Sequence, residues 1–374
     1  MPLFVYALSL AVFAQGMSEF MLSGLVPDIA RDLSVSVAAA ANLTSAYAIG
    51  MVAGAPVMAA LSARWPRRRA LAAFLVAFVA AHVVGAGTRD FTMLFCTRIV
   101  AAVANAGFLA VAMSSASTVA GPDRQHRSTA TLLGGVTLAC VAGVPGGALL
   151  GQFFGWRSAF WAVAFLSLPA LFLVFRSAPA EPAGLRNVAA RKEFRALLAP
   201  AVWRTLVLAA LVNGATFATF AYLAVVATDV AGLPAGAVPG LLAAFGVGAF
   251  AGVTASGRLP IRYALLVLPV GWAVLALTST DAVALFVMAM VQGALSFGVG
   301  SALVSRVLAV ATDAPTLGGS FATVALNVGA VVGPMLAGVI DAVWLSVALS
   351  ALALVLLPFL GREPHDPRIV QSGR

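Results

Sequence analysis

The chain has 374 residues, of which 62% are hydrophobic and 9% charged, with a mean hydropathy of +1.03 and a net charge of +9. Soluble domains carry about 25% charged residues, so this composition cannot cover a water-facing surface and an integral membrane protein is what remains. The positive balance does not indicate nucleic acid, because the basic residues stand in short clusters between apolar runs, where they orient membrane helices.

A membrane-crossing helix needs about 20 apolar residues. Cutting the sequence at charges and turn residues gives twelve spans, at 3–25, 37–61, 70–87, 91–118, 130–151, 158–175, 204–227, 238–257, 263–280, 282–304, 316–339 and 342–360. The runs lack the period-two alternation of a membrane β-barrel. The expected class is therefore all-α integral membrane. Span 1 lacks a basic leader region and a small-x-small cleavage site, so it reads as a first transmembrane helix and not a removed signal.

Span 1 carries Gln15, Ser18, Glu19 and Phe20, and span 2 carries Asn42, Ser45 and Tyr47. The loop after span 2 holds Arg64, Arg67 and Arg68, candidates for packing or gating. Span 3 is greasy apart from His82, read as a packed polar residue. Span 4 brings Arg98, Asn105 and Phe108. Span 5 is rich in glycine, with Gly143, Pro145 and Gly147 expected either to pack the halves closely or to form a hinge. After span 6, the Pro/Ala-rich and then basic stretch 176–203 reads as a linker, with a surface helix over 188–198. The division is thus a first bundle over 1–175, a linker over 176–203, a second bundle over 204–361 and a tail over 362–374. Span 7 supplies Asn213, Phe217, Phe220 and Tyr222, span 10 Gln292 and span 11 Asn327.

Two halves are supported by an internal repeat. Tyr47, Gly50 and Gly54 match Phe245, Gly248 and Gly252, and Arg64, Pro66, Ala70 and Leu71 match Arg258, Pro260, Ala264 and Leu265. With both termini inside, 18 Lys or Arg fall on the inner side and 3 on the outer, which sets an orientation with both termini cytoplasmic.

Glu19 and Arg98 are the two formal charges within spans. At 1.5 Å per residue, both lie about 9–10 Å below the outer surface. Charges at such depth face the bundle interior and find polar partners, so the two are expected to face one cavity or to pair directly. Burial penalises a charged carboxylate and a nearby guanidinium favours it; that balance suits Glu19 to proton coupling with Arg98 as its tuner. Polar residues thin out in spans 3, 6, 9 and 12, which are expected to face lipid. The candidate substrate contacts are Gln15, Phe20, Tyr47, Asn105, Phe108, Asn213, Phe217, Phe220, Tyr222, Gln292 and Asn327, around a cavity for a small, partly apolar solute.

Asp28 and Asp32 read as loop residues, and no metal or other cofactor is expected. Cys96 and Cys140 read as packing residues. No G-x-x-x-x-G-K-[ST] loop is present, so this chain does not bind ATP by a P-loop.

These features resemble the major facilitator superfamily over essentially the whole chain. The stretch "FAQGMSEFMLSGLVPDIARDLSVS" is similar to the first-helix motif of its twelve-helix drug:proton antiporters. "RIVAAVANAG" resembles the fourth-helix motif and "GVPGGALLGQFFGWR" the fifth-helix antiporter motif. Within that group the likeness is greatest to bacterial chloramphenicol exporters. The resemblance implies two pseudo-symmetric six-helix bundles, alternating access, and proton-coupled efflux of a small amphipathic antibiotic, as a monomer in the cytoplasmic membrane. One departure is the loop "LSARWPRRR", where Ala63 and Pro66 replace the family's acid and glycine. The rival readings are an exporter of a sugar or other metabolite, whose cavity should hold more hydrogen-bonding groups, and a membrane-embedded transferase, which needs clustered acids that Asp28 and Asp32 do not supply.

Overall fold

The computed structural model describes residues 3–62, 65–119, 131–132, 134–136, 138–178, 199–256, 260–311 and 317–360. Its helices in chain order are α1 Leu3–Phe20, α2 Val26–Asp32, α3 Val37–Ser62, α4 Arg67–Gly87, α5 Phe91–Val119, α6 Val144–Phe154, α7 Arg157–Ser177, α8 Pro200–Val225, α9 Val238–Ala255, α10 Ile261–Thr278, α11 Ala282–Val310, α12 Leu317–Ala337 and α13 Ala342–Leu356. A 3-10 turn, Met21–Gly24, follows α1, and a π-helical turn, Ala139–Gly143, leads into α6.

Among the described residues ten segments are long and apolar enough to cross a bilayer, and Phe321–Ala337 and Ala342–Leu356 are shorter apolar helices. Each expected span falls on one of them. The largest departure is α11, which runs past the expected end at 304 to Val310. Helix starts follow local chemistry. α8 and α9 place a proline in the first turn, where the missing N–H has no partner to lose. Asp281 and Asp341 cap α11 and α13 by accepting backbone N–H bonds from Ala284 and from Val343 and Trp344.

Helix pairing repeats every six spans. In the first half α3 packs on α5, α4 on α5 and α7, and α1 on α7; in the second, α9 packs on α11, α10 on α11 and α13, and α8 on α13. Between the halves α3 meets α12 and α6 meets α9. The protein is thus two pseudo-symmetric six-helix bundles, and glycines set their register. A Cβ on Gly50 would lie 2.5 Å from the Ile99 carbonyl oxygen, and one on Gly248 would lie 1.9 Å from that of Met290. A Cβ on Gly135 would meet Ser9 O at 2.5 Å, and one on Gly329 would meet Ala210 O at 2.3 Å. Only glycine admits backbones this close.

The greasy helices α4, α7, α10 and α13 show outward stripes, such as Phe165, Phe172 and Phe175 on α7 and Val267, Val270 and Leu277 on α10. These stripes suit lipid. Most of their few polar residues point the other way: His82, Ser167, Ser346 and Ser350 are buried, while Thr278 bonds back to Val274 O in its own helix.

Two expectations about packing need correction. The span 5 glycines do not pack between the halves. A Cβ on Gly143 would meet Met17 Cγ at 2.6 Å and one on Gly147 would meet Met21 Cβ at 2.7 Å, so both sit against span 1 of the same bundle. The close approach across the halves belongs to Gly246, where a Cβ would lie 2.6 Å from Cys140 O. Pro145 stands in the first turn of α6, just beyond the π-turn; it has no N–H to return to the preceding turn, which favours such an irregularity. Arg68 likewise serves one bundle: its Nε donates to Phe175 O, with the guanidinium 5.0 Å from the Phe175 ring, tying α4 to α7. Arg67 is buried at the start of α4. Arg64, the proposed linker helix over 188–198 and the tail over 362–374 lie outside the described residues.

Candidate functional site

Arg98 has a relative exposure of 1% and lies on α5 against the end of α1. Its Nη1 donates to Ser18 Oγ and its Nη2 to Ser18 O, each at 2.7 Å. The carbonyl is available because Ser18 is in the last turn of α1, where C=O groups have no partner further along the helix. A cation is also favoured at that end of a helix. The guanidinium carbon stands 4.4 Å from the Tyr47 ring centroid and 5.8 Å from that of Phe160. Hydrogen bonds from a charged group contribute about 1.5–3 kcal/mol each, and a desolvated cation–π contact about 2 kcal/mol. Together they offset the roughly 2.5–3.5 kcal/mol that insertion scales assign to an arginine at mid-membrane. Arg98 is therefore held without a counter-ion.

Direct pairing with Glu19 does not occur. The two charges are close enough to attract one another, yet they form no ion pair. Glu19 is half-buried. The next residue, Phe20, crosses to the other half, with ring centroids 6.4, 6.3 and 6.3 Å from Phe217, Phe220 and Phe297. Phe245 closes the cluster, 4.9 Å from Phe220 and 6.0 Å from Phe297. The carboxylate is thus one residue along the chain from an aromatic wall where the bundles meet.

His82 joins the site, contrary to its reading as packing. It is 1% exposed, its Nε2 is 2.7 Å from Ser18 Oγ, and its Nδ1 is 2.8 Å from Phe78 O. A carbonyl only accepts, so Nδ1 carries the ring proton. Ser18 Oγ already accepts from Arg98, so its hydrogen goes to Nε2. The chain runs Arg98 to Ser18 to His82 to the Phe78 carbonyl, one donor and one acceptor at each step.

The other expected contacts divide. Phe20, Phe217 and Phe220 come together. Asn105 donates to Tyr47 Oη at 2.9 Å, under Arg98. Gln15 is 1% exposed and both atoms of its amide lack a protein partner. Asn213 donates to Leu326 O, linking α8 to α12, and Asn327 donates to Thr323 O in its own helix. Tyr222 stands near Gly338, where a Cβ would lie 3.2 Å from its hydroxyl. Two candidates are corrected. Phe108 is fully buried in the core of the first bundle. Gln292 has no exposure; in the orientation that satisfies its amide, the oxygen accepts from Trp272 N at 2.8 Å and from Trp272 Nε1 at 3.2 Å. It satisfies the backbone of α10 just beyond Pro269, where the proline disturbs the helix, and is closed off from solvent.

Sequence reasoning missed Phe245 and Phe297 and undervalued His82. For His82 a signal existed: Leu71, Leu75, Phe78, His82 and Gly85 form one helical stripe. Phe245 was visible only as the repeat partner of Tyr47.

Asp28 and Asp32 stand in the short helix α2 and not in a loop; Asp32 accepts from Trp156 Nε1 at 3.0 Å and from Arg157 Nη1, tying the end of α2 to the start of α7. Those bonds hold its carboxyl below the usual carboxylate range. Asp28 pairs with Arg31 one turn away.

The family model of the Major Facilitator Superfamily matches residues 8–268. The chain is 51% identical over 381 residues to a chloramphenicol resistance protein of Streptomyces lividans, covering 96% of each. It is 33% identical over 342 residues to the inner membrane transport protein YdhP of Escherichia coli K12, covering 89% of this chain and 87% of the relative. Among solved structures, a bacterial homologue of the human lysosomal transporter Spinster superposes with a TM-score of 0.74 at 18% identity, covering 96% of this chain and 94% of that one.

Proposed function

This chain belongs to the major facilitator superfamily, and from that membership we propose that it exports a small amphipathic antibiotic, chloramphenicol or a related phenicol, across the bacterial cytoplasmic membrane in exchange for protons. Support for the drug comes from the Streptomyces relative, whose name is a chloramphenicol resistance protein. The observation that carries the coupling is Glu19: a half-buried carboxylate without an ion pair, one residue from the aromatic cluster between the bundles.

In this reading the bundles over 1–175 and 204–361 rock about the site, joined by a cytoplasmic linker over 176–203, with both termini and the tail over 362–374 also cytoplasmic. The protein works as a monomer. Among the described residues, contacts across the halves include ones toward the end away from the basic loops: Ser45 Oγ donates to Val331 O at 2.9 Å, and a Cβ on Gly24 would meet Leu242 Cδ1 at 2.9 Å. That end is the periplasmic gate, so the drug enters from the cytoplasm. It settles on Phe20, Phe217 and Phe220 beside Glu19. Drug and proton exclude or weaken one another there, and the gate opens. A proton taken up by Glu19 from outside then displaces the drug and returns the carrier inward. Exchange requires only that linked occupancy.

The test is accumulation of labelled chloramphenicol in cells with and without the protein, repeated with the proton gradient collapsed. Lower accumulation that rises on collapse is expected. Equal accumulation in both strains removes the phenicol, and efflux that survives collapse removes the proton. Glu19→Gln is expected to abolish gradient-driven accumulation in inverted vesicles while drug exchange continues.

A further inference from the structure

The structure places a neutral imidazole two hydrogen bonds from the arginine beside the coupling carboxylate, on a helix whose opposite face is turned to lipid. A polar side chain sealed into that position needs a reason. Packing alone would be met by phenylalanine, since Phe78 and Phe160 flank the ring at 4.2 and 5.9 Å between centroids. What phenylalanine cannot do is accept the Ser18 hydroxyl proton.

That acceptor matters because Ser18 Oγ has one hydrogen and must be turned. With His82 Nε2 taking the hydrogen, the oxygen lone pairs face Arg98. Without it, the hydroxyl rotates to the next acceptor, as serine in a helix does by bonding the carbonyl one turn back. The lone pairs then leave Arg98 Nη1. A buried guanidinium that loses one of two strong bonds seeks another acceptor, and the nearest charged one is Glu19, the next residue on α1.

We propose that His82 is a positioning residue for proton coupling: it orients the Ser18 hydroxyl so that Arg98 stays on the end of α1 and off the Glu19 carboxylate. Glu19 is then left open to a proton or to drug. The groups around His82 are consistent with a fixed neutral ring. α5 presents Arg98, α3 presents Tyr47 behind it, α1 presents Ser18 with Glu19 beyond, and α7 presents only Phe160. A proton on Nε2 would set two donors against the one hydroxyl oxygen.

This inference rests on the reading of Glu19 as the coupling acid, and its test separates the two. The measurement is binding of labelled chloramphenicol to the purified full chain across a pH series. A guanidinium brought to a carboxylate favours its charged form. His82→Phe is therefore expected to move the midpoint of the pH dependence about one unit to the acid side, a tenfold change in proton concentration. His82→Gln, whose carbonyl oxygen reaches the place of Nε2 and whose amide can still donate to Phe78 O, keeps the wild-type midpoint. Ser18→Ala reproduces the acid shift, and the double variant with His82→Phe shifts no further. An unchanged midpoint in Ser18→Ala or His82→Phe, with only weaker binding or lower stability, overturns the proposal. So does an equal shift in His82→Phe and His82→Gln. If His82→Phe does not fold, Ser18→Ala alone still decides. Glu19→Gln reports on the other reading: pH-independent binding supports it, so that an unshifted His82→Phe then counts against the His82 proposal alone, whereas a wild-type midpoint overturns the Glu19 reading and the His82 proposal with it.

Discussion

Nine residues beyond Ser9 in α1 stands Ser18, followed by Glu19; nine beyond Ala210, its counterpart by glycine contact in α8, stands Thr219, followed by Phe220. The same register sets Tyr47 against Phe245 and Arg98 against Ala289. The first bundle uses these positions for a hydroxyl, a carboxylate, a phenol and a guanidinium. The second uses them for a hydroxyl, two phenylalanines and an alanine. Thr219 bonds within its own bundle, to Ser346 Oγ at 2.6 Å, whereas Ser18 serves Arg98 and His82. Phe220 and Phe245 stack where Glu19 and Tyr47 would be. Helix packing is thus indifferent to what the site-facing residues carry, because it is settled by glycine and small side chains elsewhere on the same helices. One bundle can carry charge chemistry and the other apolar adhesion without disturbing the shared frame.

The sharpest way to break that division is to give the first bundle the second's residue. Arg98→Ala leaves Ser18 O and the Tyr47 face without their cation. Drug resistance in cells is expected to fall to the level of the empty strain. Arg98→Lys is expected to recover only part of it, because an ammonium on a flexible stem is a point charge without the planar fork that spans Ser18 Oγ and Ser18 O. Resistance retained in Arg98→Ala would mean that the charged half is structural.

Next in size is the apolar half. Phe220 touches Phe20, Phe217 and Phe245, and an aromatic pair contributes about 0.5–1.5 kcal/mol beyond buried area. Phe220→Ala is expected to weaken chloramphenicol binding about tenfold, which is about 1.4 kcal/mol, with the pH midpoint unchanged. A moved midpoint would mean that the wall also tunes the proton, and the division between the bundles would fail.

The sequence made the frame legible because membrane helices announce themselves by length and hydropathy, and the repeat by its glycines. It made Glu19 and Arg98 legible because a charge in oil is rare. It could not say whether the two would pair. That turned on Ser18, whose carbonyl is free only because α1 ends there, and on His82, whose orientation on α4 depends on a stripe that composition hides. Gln292 misled for the opposite reason. A polar residue in a span has two uses, a ligand or a broken helix. Pro269, one helix away in space and 23 residues away in sequence, decided for the second.

The smallest expected effect concerns how each bundle fixes its last helix. The second uses a local cap: Asp341 accepts from Val343 and Trp344 at the start of α13. The first uses a tertiary tie, with Asp32 at the end of α2 accepting from Trp156 and Arg157 at the start of α7. A tie makes the stability of that bundle depend on acid. The Asp32 carboxyl is held below its ordinary value by those two donors, so its folded-state value lies under its unfolded one. The stabilisation is then complete above the unfolded value and is lost as pH falls through the folded one. Half of the Asp32 side chain is open to water, with a relative exposure of 45%, so screening keeps the contribution below about 1 kcal/mol. Asp32→Asn is expected to lower the apparent melting temperature of the purified protein by a few degrees or less at neutral pH. At acid pH, where the wild-type carboxyl is itself protonated, the two proteins should melt together. Export should be unchanged, since the tie touches neither Glu19 nor the aromatic wall. A gap in melting temperature that widens on acidification would reverse the sign of the linkage and show that the carboxylate is not what the Arg157 contact stabilises.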